Sequence, residues 1–272
     1  MLDQEFFAAW MLLAACLGLS IGSFLNVLIW RLPRMLSRQW EHESQLTLGL
    51  SVSSCAAPFT LSQPGSHCPH CGAAVRWRHN VPVFSWLYLR GRCADCAAPI
   101  SWRYPVIETL TALLFCACAW KFGFTLKAGL AMAFCAALMA LAWIDIDTRL
   151  LPDALTLPLL WTGLVANAGW RGFVATDEAV LGAAAGYGVL WLVCAVFALM
   201  TRRQGMGRGD FKLLAALGAW LGVQSLAGLI LIASSIGVAV GLFFRWRHGE
   251  QQAPFGPGLA LAGMAVIFSP GA

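Results

Sequence analysis

FFAAWMLLAACLGLSIGSFLNVLIW, residues 6–30, runs for 25 residues without a charge. A helix rises about 1.5 Å per residue, so this stretch is long enough to cross a hydrocarbon core roughly 30 Å thick. A cleaved secretory signal would open with basic residues, carry a shorter apolar stretch and end at small residues. Here the start carries Asp3 and Glu5, and the apolar run continues to Trp30 before Arg31. The stretch reads as a retained membrane helix.

The pattern repeats along the chain. Further apolar runs cover 107–120 (interrupted by Glu108), 128–144, 154–170, 179–201, 213–244 and 253–272. Apolar residues make up 59% of the chain and charged residues 11%, against about 25% charged in a soluble domain. The run 213–244 would form a straight helix about 48 Å long, too long for one crossing. Gly222-Val223-Gln224-Ser225 offers a turn. A split there leaves a first half that reaches a crossing length only by extending back through Lys212 and Asp210. The expectation is an all-α polytopic membrane protein with about eight transmembrane helices.

Basic residues test that count. With the N-terminus outside, the inner side receives Arg31, Arg34, Arg38, Arg76, Arg78, Arg90, Arg92, Arg103, Arg149, Arg202, Arg203, Arg208, Lys212, Arg245 and Arg247, and the outer side Lys121, Lys127 and Arg171. This asymmetry is what the positive-inside rule expects, and it puts both termini in the periplasm. The net charge of +5 is thus a topology signal. It is no footprint for nucleic acid, which would need a basic patch on one face.

The expected organisation is a first transmembrane helix over 1–30, a cytoplasmic zinc-binding domain over 31–103 and a seven-helix membrane domain over 104–272. The middle segment is rich in Pro, Gly, Ser and His, reads as irregular, and is too small to be stable on its own core. It contains Cys68-Pro69-His70-Cys71 and Cys93-Ala94-Asp95-Cys96. Two such pairs at this separation read as two knuckles closing a four-thiolate zinc site, zinc-ribbon-like, between spans one and two. With all four positions filled by sulfur the metal is structural. Two disulfides or free thiols are the competing readings, and a reducing cytoplasm disfavours the disulfides. Cys16, Cys116, Cys118, Cys135 and Cys194 lie in apolar runs and read as small packing residues, while Cys55 stands alone in a loop.

Acidic residues are few, and five of the 13 lie in or beside apolar runs: Glu108, Asp145, Asp147, Asp153 and Asp210. Ionisable groups at such depths are costly and usually functional. One group is WIDIDTRLLPD, residues 143–153; the other is GMGRGDFK, residues 205–212. Both fall at the cytoplasmic edge. Two carboxylates from different helices at one depth can share a proton and a water, as in an aspartic protease. Competing roles are solvation for Asp147, helix capping for Asp153, and an ion pair with Lys212 or Arg208 for Asp210. Ser23 and Asn26, in GSFLNVLIWRLP (22–33), are placed to hydrogen-bond across helices.

Taken together, GSFLNVLIWRLP, CPHC with CADC, RWRHNVPVFSWLYLRGRC (76–93), SWRYPVIE (101–108), DIDTRLLPD (145–153), GMGRGDFKL (205–213) and FGPGLALAG (255–263) resemble the bacterial type IV prepilin peptidases. These are bifunctional leader peptidases and N-methyltransferases with a GxGD-type aspartic membrane protease. The resemblance runs from about residue 18 to 261. It implies catalytic aspartates at Asp145 and Asp210, zinc ligands at Cys68, Cys71, Cys93 and Cys96, and S-adenosyl-L-methionine as methyl donor. It further implies type IV prepilins or type II secretion pseudopilins as substrates, and a multi-pass place in the bacterial inner membrane with the active site at its cytoplasmic face. One position departs from the family pattern: His79 stands where an acidic residue is common. No glycine-rich nucleotide fingerprint is present, so the methyl transfer rests on the resemblance alone. A proton-coupled transporter would also use intramembrane carboxylates but calls for inverted repeats, and a zinc module that only binds a partner would leave the acidic motifs idle.

Overall fold

The computed structural model describes residues 2–50, 59–169, 172–202, 206–248 and 254–269. Cys55, Arg171, Arg203 and Gly205, and the side chains of Arg245 and Arg247, lie outside the described residues. Among the described residues the protein is helical, with no strand and two isolated bridges. It divides into two compact units, Met1–Phe124 and Thr125–Ala272.

The first unit is a helical hairpin that carries the four-cysteine segment. Helix α1, Leu2–Thr47, has 46 residues. It does not end with the apolar run at Trp30 but continues through Pro33. A proline inside a helix forfeits one backbone hydrogen bond, and two side chains that follow it donate back to carbonyls of the helix. Arg34 Nη1 donates to the Trp30 carbonyl at 2.6 Å and Ser37 Oγ to that of Pro33 at 3.0 Å. Arg31, buried, donates to the carbonyls of Thr60, Leu61 and Pro64 and ties the following loop to the helix. Short helix α2, Phe84–Tyr88, follows, and then α3, Arg103–Phe122. Gly18 lies against Ala112, Gly22 against Glu108, and Asn26 donates to the Tyr104 carbonyl, so α1 and α3 run antiparallel.

The second unit holds six helices among its described residues: α4, Leu126–Thr148; α5, Asp153–Gly169; α6, Thr176–Thr201; α7, Arg208–Leu221; α8, Leu226–His248; and α9, Gly256–Ile267. The break between α7 and α8 falls at Gly222, φ +79°, followed by a single 3-10 turn, Val223–Ser225. The start of α7 at Arg208 takes in Asp210 and Lys212.

Helix α7 is the centre of this unit. From Leu213 to Leu221 every residue is buried. Gly182 of α6 and Gly218 of α7 meet backbone to backbone with no room for a Cβ on either, the close approach that small residues permit in membranes. On the α5 side, Trp220, 1% exposed, fits against Gly163 and donates to the Leu159 carbonyl at 2.7 Å. Buried Asn167 donates to the Ala219 carbonyl and accepts from the amides of Phe173 and Val174. On the α9 side, Gly263 lies between Leu217 of α7 and Leu138 of α4.

Among the described residues, five stretches are long and apolar enough to cross a membrane: Gln4–Thr47, Arg103–Phe122, Leu126–Thr148, Thr176–Thr201 and Val223–Leu242. Helices α5, α7 and α9, with 17, 14 and 12 residues, measure roughly 26, 21 and 18 Å at 1.5 Å per residue. The exposed apolar side chains of α6, such as Leu192, Val193 and Leu199, suit a lipid-facing surface.

Candidate active site and metal centre

Asp145 and Asp210 come to one place in the second unit from opposite ends of their helices. Asp145 lies in the last turn of α4 and Asp210 in the first turn of α7, and they are 6% and 9% exposed. Asp210 lies within electrostatic range of Asp145. A second contact lies further along both helices, where the rings of Phe134, mid-α4, and Trp220, near the end of α7, stand 4.9 Å apart. Burial strengthens the mutual repulsion of two carboxylates, and a shared proton relieves it.

A third element completes the site. The amide of Gly256, first residue of α9, donates to Asp145 Oδ2 at 3.0 Å. A Cβ at that glycine would lie 2.6 Å from the same oxygen, so only glycine lets the backbone approach this closely. An amide donor at a helix start favours the ionised carboxylate. At Asp210, the nearest group to a Cβ on Gly207 would be the carboxylate itself, 3.6 Å away.

The other acidic residues stand apart from this pair. Asp147 is exposed. Asp153 is the first residue of α5, while the Pro152 carbonyl accepts the amides of Leu155 and Thr156. The Asp153 carboxylate instead receives Lys212 Nζ at 2.6 and 2.7 Å. That pair removes Lys212 as a partner for Asp210, which forms no ion pair among the described residues. Glu108 belongs to the first unit: it accepts from the Val83 amide at 2.7 Å. Asn26 makes the cross-helix bond open to it, to the Tyr104 carbonyl, and Ser23 lines a cavity together with Glu108.

The four cysteines assemble through two matching loops. In the first, the Cys68 amide donates to the Ala73 carbonyl and the Cys68 carbonyl accepts from Gly72; a bridge from His67 to Ala74 closes the loop. In the second, Cys93 pairs with Ala98 and Ala97 in the same way, and Arg92 bridges to Pro99. The turn residues Gly72 and Ala97 both have positive φ, +72° and +56°. The four Sγ atoms lie within 4.8 Å of one another. Cys68 and Cys96 Sγ are 3.7 Å apart, far beyond the roughly 2.05 Å of a disulfide. Hydrogen bonds from the Cys71 and His70 backbone bring the Cys68 thiol down to about 6. Cys96 is pushed up to about 12: the Ala98 backbone bond opposes this, while desolvation and the three neighbouring thiols drive it. Such a group is a set of thiols sharing protons, and it is able to hold a metal ion.

Comparison with known proteins bears on both centres. The bacterial peptidase A24 N-terminal domain matches residues 16–122, and the type IV leader peptidase family matches residues 132–242. A prepilin leader peptidase/N-methyltransferase of Neisseria gonorrhoeae is 47% identical over 256 residues, covering 94% of this chain and 89% of that protein. The chain belongs to the type IV leader peptidase family. Proteins of the same description from Pseudomonas aeruginosa and Dickeya chrysanthemi are 47% and 48% identical; they cover 95% and 93% of this chain and 90% of their own lengths. No solved structure matches. Within this leader peptidase, the family match over 132–242 takes in both buried aspartates, and the match over 16–122 takes in all four cysteines. Gly256 lies beyond both. Its role is invisible in sequence because its partner is 111 residues away. The available signal was Gly256-Pro257-Gly258, a proline just inside a helix start.

Proposed function

We propose that this membrane enzyme cleaves the leader from type IV prepilins and type II secretion pseudopilins, with Asp145 and Asp210 as the catalytic pair. The supporting observation is the meeting of two buried carboxylates from α4 and α7, one of them held by the Gly256 amide. The Gly256 amide donates to Asp145, and such a donor favours the carboxylate form, which suits Asp145 to the role of the base that activates water. Asp210 then carries the shared proton and polarises the scissile carbonyl. We assign all eight helices of about 12 residues or more to the membrane. Short α7 and α9 are accommodated because neighbouring helices cover most of their residues, while α5 buries one face and exposes Leu157, Trp161 and Val165 on the other. The positive-inside asymmetry puts the aspartates at the cytoplasmic face of a bacterial inner membrane.

The four cysteines are assigned to a structural zinc ion. A tetrahedron with Zn–S near 2.3 Å has an edge of about 3.8 Å, close to the 3.7 Å between Cys68 and Cys96 Sγ. The second activity is transfer of a methyl group from S-adenosyl-L-methionine to the N-terminus that cleavage creates; the relatives' names, which include N-methyltransferase, support it.

The test is incubation of purified enzyme with a prepilin and labelled S-adenosyl-L-methionine, scoring leader removal and methyl incorporation separately. Cleavage without incorporation would overturn the second activity and leave the first standing. Absence of both, with prepilin and zinc-loaded enzyme intact, would overturn the whole reading.

A further inference from the structure

Among the described residues three carboxylates are buried: Asp145, Asp210 and Glu108. The peptidase chemistry uses the first two. Glu108, 6% exposed, stands in the first unit and has no part in it. It lines a cavity of about 470 Å³, within the range of roughly 300–1,000 Å³ typical of small-molecule sites. Asn26, Arg31, Asn80, Trp86 and Tyr104 contribute to the same wall. The mix of aromatic surface and a few polar groups is that of a ligand pocket.

The surroundings hold Glu108 at a cost. Val83, whose amide donates to Glu108 Oε2, has φ +59° and ψ −52°. A β-branched residue rarely adopts such a conformation, and strain of this kind gathers at functional sites. A structural pin between the 80–83 loop and α3 needs only a neutral acceptor, which glutamine supplies. A buried carboxylate is the costlier choice and brings a capacity that an amide lacks: it takes up a proton.

We propose that this cavity is the methyl-transfer site and that Glu108 receives the proton of the substrate's N-terminal ammonium. The inference rests on the methyltransferase activity given above. The Glu108 carboxylate takes one proton from the ammonium, and the freed nitrogen lone pair forms a C–N bond to the methyl carbon of a sulfonium donor. The C–S bond breaks with its electron pair going to sulfur. The products are a neutral thioether, a protonated secondary amine and a protonated Glu108, which then releases its proton to solvent.

The experiment compares wild type, Glu108→Gln and Ser23→Ala, as full chains in detergent or lipid. A pre-cleaved pilin peptide is the acceptor and labelled S-adenosyl-L-methionine the donor. Glutamine keeps an acceptor for the Val83 amide and removes the base. Glu108→Gln should lower the rate of methyl incorporation by about 100-fold or more, with zinc content, thermal unfolding and S-adenosylhomocysteine binding close to wild type. Ser23→Ala, which keeps the carboxylate, should lose less than about tenfold by the same reasoning. Wild-type methylation by Glu108→Gln overturns the assignment. Loss of zinc or of folding in Glu108→Gln, with methylation lost in Ser23→Ala too, assigns the residue a structural role and also overturns it. Loss of S-adenosylhomocysteine binding at unchanged zinc content puts the carboxylate against the donor and overturns the proton-acceptor role. A wild-type enzyme that cleaves but does not methylate overturns the methyltransferase reading itself, which is a different result from an active wild type with an active variant.

Discussion

The four-cysteine cluster and the two-aspartate cluster are built in opposite ways. Each cysteine loop is closed by its own backbone within a few residues, and the same bonds recur in both loops. Its ligands therefore announce themselves by spacing. The aspartates are 65 positions apart in sequence and are brought together by α4, α7 and the start of α9. Nothing local marks Asp145 above Asp147; burial separates them, since one is enclosed and the other exposed. A site made of local loops should tolerate change elsewhere in the chain, whereas a site made by packing should respond to changes in helices that carry no chemistry.

The sharpest way to break this contrast is at the aspartates. Asp145→Asn and Asp210→Asn should each lower leader cleavage by about 1,000-fold or more, with the protein still inserted and zinc-loaded. An amide neither accepts the water's proton nor shares one with its partner. Asp147→Asn should stay within about tenfold, because an exposed group outside the pair lacks that role. Cleavage assays at matched membrane levels decide this, and substantial activity in Asp145→Asn would move the catalytic role to another carboxylate.

Replacing Cys71 or Cys96 by serine comes next. Three thiolates leave the tetrahedral shell open, so zinc content should fall well below one equivalent and the first unit should lose stability. Structural zinc binding is worth about 10–16 kcal/mol in small metal-folded peptides, so even partial loss is large for a segment with little apolar core. Metal analysis together with proteolysis of the first unit provides the check. Full zinc loading in either variant would show that the cluster is not a four-ligand site.

Gly256→Ala sharpens the comparison from the other side, since it replaces no chemistry-bearing side chain. The added methyl would lie 2.6 Å from Asp145 Oδ2, so either the carboxylate or α9 must move. A misplacement of about 1 Å is enough for roughly a 100-fold loss in rate. The expected loss in cleavage is about 10–100-fold, with methylation of a pre-cleaved peptide retained. Unaltered cleavage would show that the α9 amide does not position the aspartate.

How much of this was legible in the sequence follows the same division. Apolar runs marked where the long helices lie, and the turn at 222–225 was readable from its glycine and polar residues. The end of α1 was not. The segment after Trp30 reads as the start of an irregular domain over 31–103, yet Arg31 is buried against three loop carbonyls and the helix continues to Thr47. Local propensity there yields to tertiary hydrogen bonds. The Lys212–Asp153 pair was equally hidden. Both residues were read for other roles, Lys212 beside Asp210 and Asp153 as a cap, and they meet only because α5 packs on α7. Asp153→Asn should therefore be mild, costing about 1 kcal/mol or less, since the pair is partly solvent-exposed. A small fall in Tm and cleavage within about twofold of wild type would agree with a surface ion pair of that size.

The smallest expected effect lies inside the cysteine cluster, where two loops of the same design differ at one residue. Gly72 and Ala97 occupy equivalent turn positions, each donating its amide to the carbonyl of the first cysteine of its loop. Both have positive φ. For an alanine this conformation costs roughly 1–2 kcal/mol, because Cβ crowds the following carbonyl, while glycine adopts it freely. A Cβ at Gly72 would meet no atom within 4 Å, so substitution there probes the backbone alone. Gly72→Ala should destabilise the loop by about 1 kcal/mol, and Ala97→Gly should stabilise its partner by about 0.5–1 kcal/mol, reduced by the greater freedom of glycine in the unfolded chain. The readout is the rate of zinc release to a chelator, faster in the first variant and slower in the second. The double variant, which exchanges the two residues, should fall near wild type. Each loop supplies two of the four cysteines, and the two turn changes act with opposite sign. Equal release rates in all three variants would mean that the metal–sulfur bonds alone hold the loops closed and that turn strain contributes nothing.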